Sequence, residues 1–124
     1  MTETLRILIV DDSRVSRMMS SAMVKALRKD VEIIEAANGD AALLAQRETP
    51  CHIGILDMNM PGMTGLELAE RLAEIRPGMP LALLTANVQD SIRNRAEQQG
   101  VHFFRKPISE GLIGQILTKL APEA

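Results

Sequence analysis

Five residues of types suited to metal binding and phosphoryl transfer stand at the ends of short apolar runs. They are Asp11 and Asp12 after the first run, Asp57 after the third, Thr85 after the fourth and Lys106 after the fifth. Three carboxylates held close together repel one another, so they either protonate or bind a cation. Because these donors are oxygens, with no histidine or second cysteine at metal-ligand spacing, Mg2+ is the expected ion and Mn2+ the alternative.

Asp57 is the residue at which we expect the chemistry. A carboxylate is a competent nucleophile toward phosphorus and forms an acyl phosphate. Phosphoryl transfer needs the charge on the transferred oxygens to be neutralised, which Mg2+ and the Lys106 ammonium could do, while the Thr85 hydroxyl could donate to a further oxygen. Taken singly, each of these residues has a commoner structural role, and only their joint placement favours chemistry.

The elements that must position these residues alternate along the chain. Apolar runs predict strands at 5–10, 31–36, 53–57, 81–85 and 101–105, and amphipathic stretches predict helices after Ser13, at 40–48, after Thr64, at 91–99 and after Ser109. Asn38 and Gly39 are interpreted as a turn. Short connections between alternating elements predict a doubly wound α/β fold with one five-stranded parallel sheet covered on both faces. The carboxyl ends of parallel strands share one edge, so the five residues should meet there.

Composition narrows the functional classes. A chain of 124 residues fits one domain, and a net charge of −2 does not favour direct nucleic-acid binding. No apolar run approaches the ~20 residues of a membrane span and nothing directs export, so we expect a cytoplasmic protein without a membrane partner. The single cysteine, Cys51, excludes an internal disulfide and is expected to be inert, and His52 and His102 are interpreted as packing or surface residues.

Four motifs together resemble the receiver domain of two-component response regulators. They are IVDDS at 9–13, LDMNMPGMTG at 56–65, LTA at 84–86 and FRKP at 104–107. The resemblance spans essentially the whole chain, so residues 1–124 are interpreted as one receiver domain. It implies the flavodoxin-like strand order 2-1-3-4-5.

The resemblance also implies roles for residues around Asp57. Asp57 would accept a phosphoryl group from the phosphohistidine of a histidine kinase or histidine phosphotransfer protein. Asp11, Asp12 and Asp57 would hold Mg2+, and the backbone carbonyl of Asn59 would complete the protein ligands. Thr85 and Lys106 would bind the phosphoryl oxygens.

A conformational switch is implied as well. The peptide bond before Pro107 would be cis and help to aim Lys106. On phosphorylation Thr85 would move toward the phosphoryl group and Phe103 would turn inward, which would remodel the face formed by the fourth helix, fifth strand and fifth helix. That face would bind a downstream protein target or a phosphatase. The chain would be a monomer or a phosphorylation-dependent dimer.

Other interpretations remain open. The chain could be excised from a longer regulator such as a transcription factor, although the short tail after Leu120 favours a stand-alone module. In either case the resemblance implies a signalling domain rather than an enzyme. An aspartyl-phosphate phosphatase usually carries a second aspartate two residues after the first, where this chain has Asn59. A flavin- or nucleotide-binding domain of this fold would have a glycine- or hydroxyl-rich loop after the first strand, where this chain has Asp11 and Asp12. The resemblance implies that the residues two after the acceptor and two after the threonine tune the lifetime of the phosphoryl group. These are Asn59 and Asn87, neither of which is a carboxylate, so no strong general base for an attacking water is expected.

Overall fold

The computed structural model describes residues 4–86 and 89–121, so the prediction made for Asn87 lies outside the described residues. Strands and helices alternate throughout. The five strands are β1 (Leu5–Val10), β2 (Val31–Ala36), β3 (Ile53–Asp57), β4 (Leu81–Thr85) and β5 (His102–Arg105), and the five helices are α1 (Arg14–Leu27), α2 (Gly39–Glu48), α3 (Gly65–Ile75), α4 (Asp90–Gln98) and α5 (Glu110–Leu120).

All five strands are parallel and lie in the order β2-β1-β3-β4-β5, which confirms the predicted fold class. The register aligns the strand ends on which the site depends. Val10 is paired with Leu56, Asp57 with Leu84, and Thr85 with Arg105. Asp57, the last residue of β3, therefore reaches one edge of the sheet at nearly the same level as Asp11 and Lys106, which follow β1 and β5.

Each face of the sheet is covered by its own hydrophobic cluster because successive side chains of a strand point to opposite faces. In β1, Ile7 and Ile9 pack toward α1 and α5, whereas Leu8 and Val10 pack toward α2, α3 and α4. Every residue of β3 and β4 is buried. A strand buried on both faces is held rigidly, so a polar residue at its end has a fixed position.

Side chains at the helix N-termini explain where most helices begin. Ser13, Thr64 and Ser109 accept hydrogen bonds from the backbone of their own first turns, as the sequence predicted. Asn38 was predicted to lie in a turn, but its side chain accepts from the Ala41 backbone N–H at 2.8 Å. Asn38 is therefore a helix N-cap, and α2 begins one residue earlier than predicted.

Smaller differences occur at the ends of two other elements. α4 begins at Asp90 rather than 91, after Gln89, whose side chain makes no capping bond. β5 begins at His102 rather than 101. Gly62, which follows Pro61 between β3 and α3, has a φ of +84° that glycine adopts without strain. Within the described ranges, no helix combines the length and apolar character needed to cross a membrane.

Candidate functional site

Asp57 is the last residue of β3 and is only 5% exposed. The chain beyond it is tied to the sheet and to α3, since the Met58 N–H donates to the Leu84 carbonyl at 2.9 Å and the Gly65 N–H donates to the Met58 carbonyl at 3.0 Å. These bonds fix the direction in which the Asp57 side chain leaves the strand.

Asp11 and Asp12 bring two more carboxylates to Asp57. One oxygen from each of the three lies within 4.8 Å of the others. Asp11 is 5% exposed, whereas Asp12 is open to solvent. This donor set fits a hard divalent cation that keeps some of its waters on the exposed side, as Mg2+ does.

Lys106 supplies a positive charge to the same cluster. Its Nζ lies 3.0 Å from Asp57 Oδ1. Burial nonetheless raises the pKa of Asp57 above its ordinary value; the hydrogen bond from Lys106 opposes that shift, and the charges of Asp11 and Asp12 add to it. A single ammonium therefore does not compensate this carboxylate fully, and a further cation at the cluster would stabilise its ionised form.

Thr85 and Lys106 are linked through the backbone. The Lys106 N–H donates to the Thr85 carbonyl at 3.0 Å, which extends the pairing of β4 with β5 by one residue. Thr85 is fully buried at the end of β4. The peptide bond between Lys106 and Pro107 is cis.

The two other residues expected at the site lie at its margins. Asn59 is exposed, two residues beyond Asp57. Phe103 is half-buried in β5, where its ring packs against the hydrophobic cluster on the α2, α3 and α4 face. The Arg93 guanidinium of α4 lies over that ring, 5.3 Å from its centroid.

Asp11 is held through its backbone and its side chain. Its N–H donates to the Ala36 carbonyl at 3.1 Å, and its Oδ1 accepts from the Ser13 N–H at 2.9 Å. Its carbonyl accepts from Arg17 Nη1 at 2.7 Å, and Arg17 Nε donates to Glu35 Oε1 at 3.2 Å. Sequence reasoning assigned no role to Arg17.

Gly65 was also missed. A Cβ at this position would lie 2.5 Å from the Asp57 carbonyl oxygen and 2.5 Å from Leu83 Cδ1, so only glycine fits at the present separation of α3 from β3. Glycine at the first position of a helix, directly after the N-cap Thr64, disfavours that helix by at most about 1 kcal/mol relative to alanine. This unfavourable helix propensity was the sign in the sequence that α3 approaches β3 closely at Gly65.

The surroundings of Cys51 and His52 fit structural roles for both residues. Burial raises the pKa of the Cys51 thiol to about 11, so little reactive thiolate forms at neutral pH. His52 Nδ1 accepts from the Arg6 backbone N–H at 2.9 Å. His102 is half-buried on β5, in a hollow that Arg93 and Phe103 also line.

The chain is similar to known proteins over most of its length. Residues 7–118 match the family model described as the response regulator receiver domain. Sensor protein EvgS of Escherichia coli strain K12 is 33% identical over 119 residues, which are 95% of this chain and 10% of EvgS. A protein-glutamate methylesterase/protein-glutamine glutaminase of Dechloromonas aromatica is 33% identical over 110 residues, 86% of this chain and 31% of that protein.

Among solved structures, the chemotaxis protein CheY4 of Vibrio cholerae has a TM-score of 0.87 and 25% identity, and the match covers 94% of this chain and 98% of that one. The chain therefore spans nearly all of one solved relative, but only about a tenth to a third of these two curated relatives.

The family match gives the acidic cluster its context. Receiver domains are signalling domains of two-component systems, and the family binds Mg2+ at an acidic pocket. The strand order, the acidic edge and the match over 7–118 agree with one another. The chain belongs to the response regulator receiver domain family.

Proposed function

We propose that Asp57 is the phosphoacceptor of a two-component phosphorelay and receives its phosphoryl group from the phosphohistidine of a histidine kinase or histidine phosphotransfer protein. The observation that carries this proposal is the joint placement of three carboxylates within 4.8 Å and a lysine Nζ 3.0 Å from Asp57. A nucleophile and two kinds of charge-neutralising group would thus meet at one sheet edge.

In the proposed reaction an Asp57 carboxylate oxygen forms a bond to phosphorus while the phosphorus–nitrogen bond of the donor breaks. The imidazole nitrogen keeps the electron pair of the broken bond. Lys106 would move from the Asp57 oxygen to a phosphoryl oxygen, and the Thr85 hydroxyl would donate to another. Bound Mg2+ would neutralise charge on the phosphoryl oxygens; Asp11, Asp12, Asp57 and the Asn59 carbonyl would hold it.

The proposed output is a change in protein binding. Thr85 would follow the phosphoryl group, Phe103 would turn further inward, and the surface formed by α4, β5 and α5 would change shape. That surface would then bind a downstream target or a phosphatase. Residues 1–124 would act as one receiver domain, and this role would apply equally within a longer regulator.

Phosphorylation by acetyl phosphate tests the site without knowledge of the kinase. The donor's phosphorus–oxygen bond breaks and acetate leaves, so intact mass should increase by one phosphoryl group when Mg2+ is present. Asp57→Asn should abolish the increase. Asp40→Asn, which removes an exposed carboxylate from the hollow next to Asp12, is the matched control and should be phosphorylated normally.

Two results would overturn parts of this proposal. A mass increase that survives in Asp57→Asn would exclude Asp57 as the acceptor. A full increase in the presence of excess EDTA would exclude the proposed role of the metal. If the wild type gains no mass, its binding of beryllofluoride, a phosphoryl mimic, should be measured, and absence of binding would contradict the phosphoacceptor function.

A further inference from the structure

Arg17 connects three segments around the acidic cluster. It is the fourth residue of α1, and its side chain is 15% exposed. Its Nη1 donates to the Asp11 carbonyl at 2.7 Å, and its Nε donates to Glu35 Oε1 on β2 at 3.2 Å. The other Glu35 oxygen accepts from Ser21 Oγ of α1 at 3.3 Å. The Glu35 carboxylate is therefore held by two side chains of α1, and it in turn fixes the guanidinium that reaches Asp11.

The carbonyl that Arg17 holds belongs to the peptide unit joining Asp11 to Asp12. The orientation of that unit sets the directions in which the two carboxylates leave the backbone, because it is planar and shared by both residues. Ser13 fixes the Asp11 carboxylate separately, through its backbone N–H at 2.9 Å. Asp12 itself is exposed, and its backbone is held through the two peptide units that flank it, by Arg17 on one side and by the Ser13 N–H bond to Asp11 on the other.

We infer that Arg17, held by Glu35, is a positioning residue that orients the Asp11–Asp12 peptide unit so that both carboxylates face the metal. The inference rests on the proposed function, since it assumes that these carboxylates bind Mg2+. Removal of a group that holds a metal ligand in its orientation typically weakens the affinity for the metal by about 10–100-fold.

A purely electrostatic role for Arg17 predicts the opposite sign. A positive charge beside an acidic cluster repels Mg2+, so its removal alone would strengthen metal binding. Positioning predicts weaker binding when the guanidinium is lost. Arg14, exposed one turn earlier on the same helix, provides a control that removes an equal charge from the neighbourhood.

The experiment is isothermal titration of metal-free protein with MgCl2 for the wild type, Arg17→Gln, Arg17→Lys and Arg14→Gln. Arg17→Gln should bind Mg2+ about tenfold more weakly than the wild type. Arg17→Lys keeps the charge but cannot reproduce a planar guanidinium bonded to two partners. Its affinity for Mg2+ should therefore also be lower than that of the wild type, by about threefold at least. Arg14→Gln should bind as tightly as the wild type or more tightly.

A second measurement separates positioning from loss of structure. The Mg2+ concentration that gives half-maximal phosphorylation by acetyl phosphate should rise in both Arg17 variants, while the extent of phosphorylation at saturating Mg2+ should stay unchanged. A merely misfolded variant would lose extent as well. Arg17→Lys keeps the comparison usable if Arg17→Gln does not fold.

The outcomes distinguish this inference from the proposal beneath it. If the wild type binds no Mg2+, the proposed metal site and the role of Arg17 both fail. If the wild type binds but both Arg17 variants match or exceed Arg14→Gln in affinity, the metal site stands and the positioning role is wrong.

Discussion

Replacement of Gly65 by alanine should destabilise the protein although the change adds only one methyl group, because Gly65 is buried at the start of α3. The new Cβ would lie 2.5 Å from the Asp57 carbonyl oxygen, 2.5 Å from Leu83 Cδ1 and 3.0 Å from Met58 Cα. Two of these three atoms belong to the backbone and cannot move by changing a rotamer. The start of α3 and the end of β3 must therefore separate.

The size of the effect follows from two opposing contributions. Overpacking of this kind costs about 1–3 kcal/mol, and the backbone obstacle places the cost at about 3 kcal/mol. Alanine regains at most about 1 kcal/mol of helix propensity at this first helical position, so the free energy of unfolding should fall by at least about 2 kcal/mol. With ~2.1 cal/mol/K of unfolding entropy per residue, that loss lowers Tm by about 8 °C in a chain of 124 residues.

Thermal unfolding followed by circular dichroism checks this value, and Gly114→Ala is the matched control. A Cβ at Gly114, inside α5, would meet only Leu27 Cδ1 at 3.9 Å, an ordinary contact. That variant should gain about 1 kcal/mol, or about 4 °C. A Gly65→Ala protein that melts within about 2 °C of the wild type would refute the argument that α3 needs glycine to approach Asp57.

Three further predictions concern charge and metal. Burial raises the pKa of Asp57, so its ionised form costs stability at pH values above that raised pKa and costs nothing below the ordinary value of 3.8, where the folded and unfolded forms are both protonated. Asp57→Asn in EDTA should therefore melt higher than the wild type at pH 7, and the difference should vanish as the pH falls through 3.8. Mg2+ at 100 times its Kd should stabilise the wild type by about 2.7 kcal/mol, and Asp12→Asn should lose most of that gain in a melting assay at the same Mg2+ concentration. Arg93→Gln should lower the free energy of unfolding in urea by about 0.5–1 kcal/mol through loss of its contact with Phe103, whereas Arg95→Gln should not; equal values for the two variants would contradict an energetic role for that contact.

The fold and the meeting of the acidic residues were predictable because their determinants are local. Each strand is a short apolar run that ends in a polar residue, and parallel geometry brings such ends to one edge. Asp11, Asp57 and Lys106 could therefore be placed together although about 50 residues separate each from the next.

The contacts that refine the site could not be predicted in this way. The bond of Arg17 to Glu35 depends on how α1 lies against β2, and the requirement for Gly65 depends on the separation of α3 from β3. Neither the packing of α1 against β2 nor the separation of α3 from β3 can be read from the residues next to Arg17 or Gly65 in the sequence. Asn38 shows a different limit, since asparagine suits both turns and N-caps, and only the Ala41 N–H distinguishes the two.

The order of the strands along the chain also has a consequence for the timing of biosynthesis. β1 and β3 supply the carboxylates, but Lys106 follows β5, the last strand of the sheet. During vectorial synthesis at about 5–20 residues per second, the three aspartates are made several seconds before the lysine that pairs with Asp57. A nascent chain that ends within α4 holds all three aspartates yet cannot form the Asp57–Lys106 pair. Under the proposed function, competence for phosphorylation would therefore arise only after synthesis has passed β5.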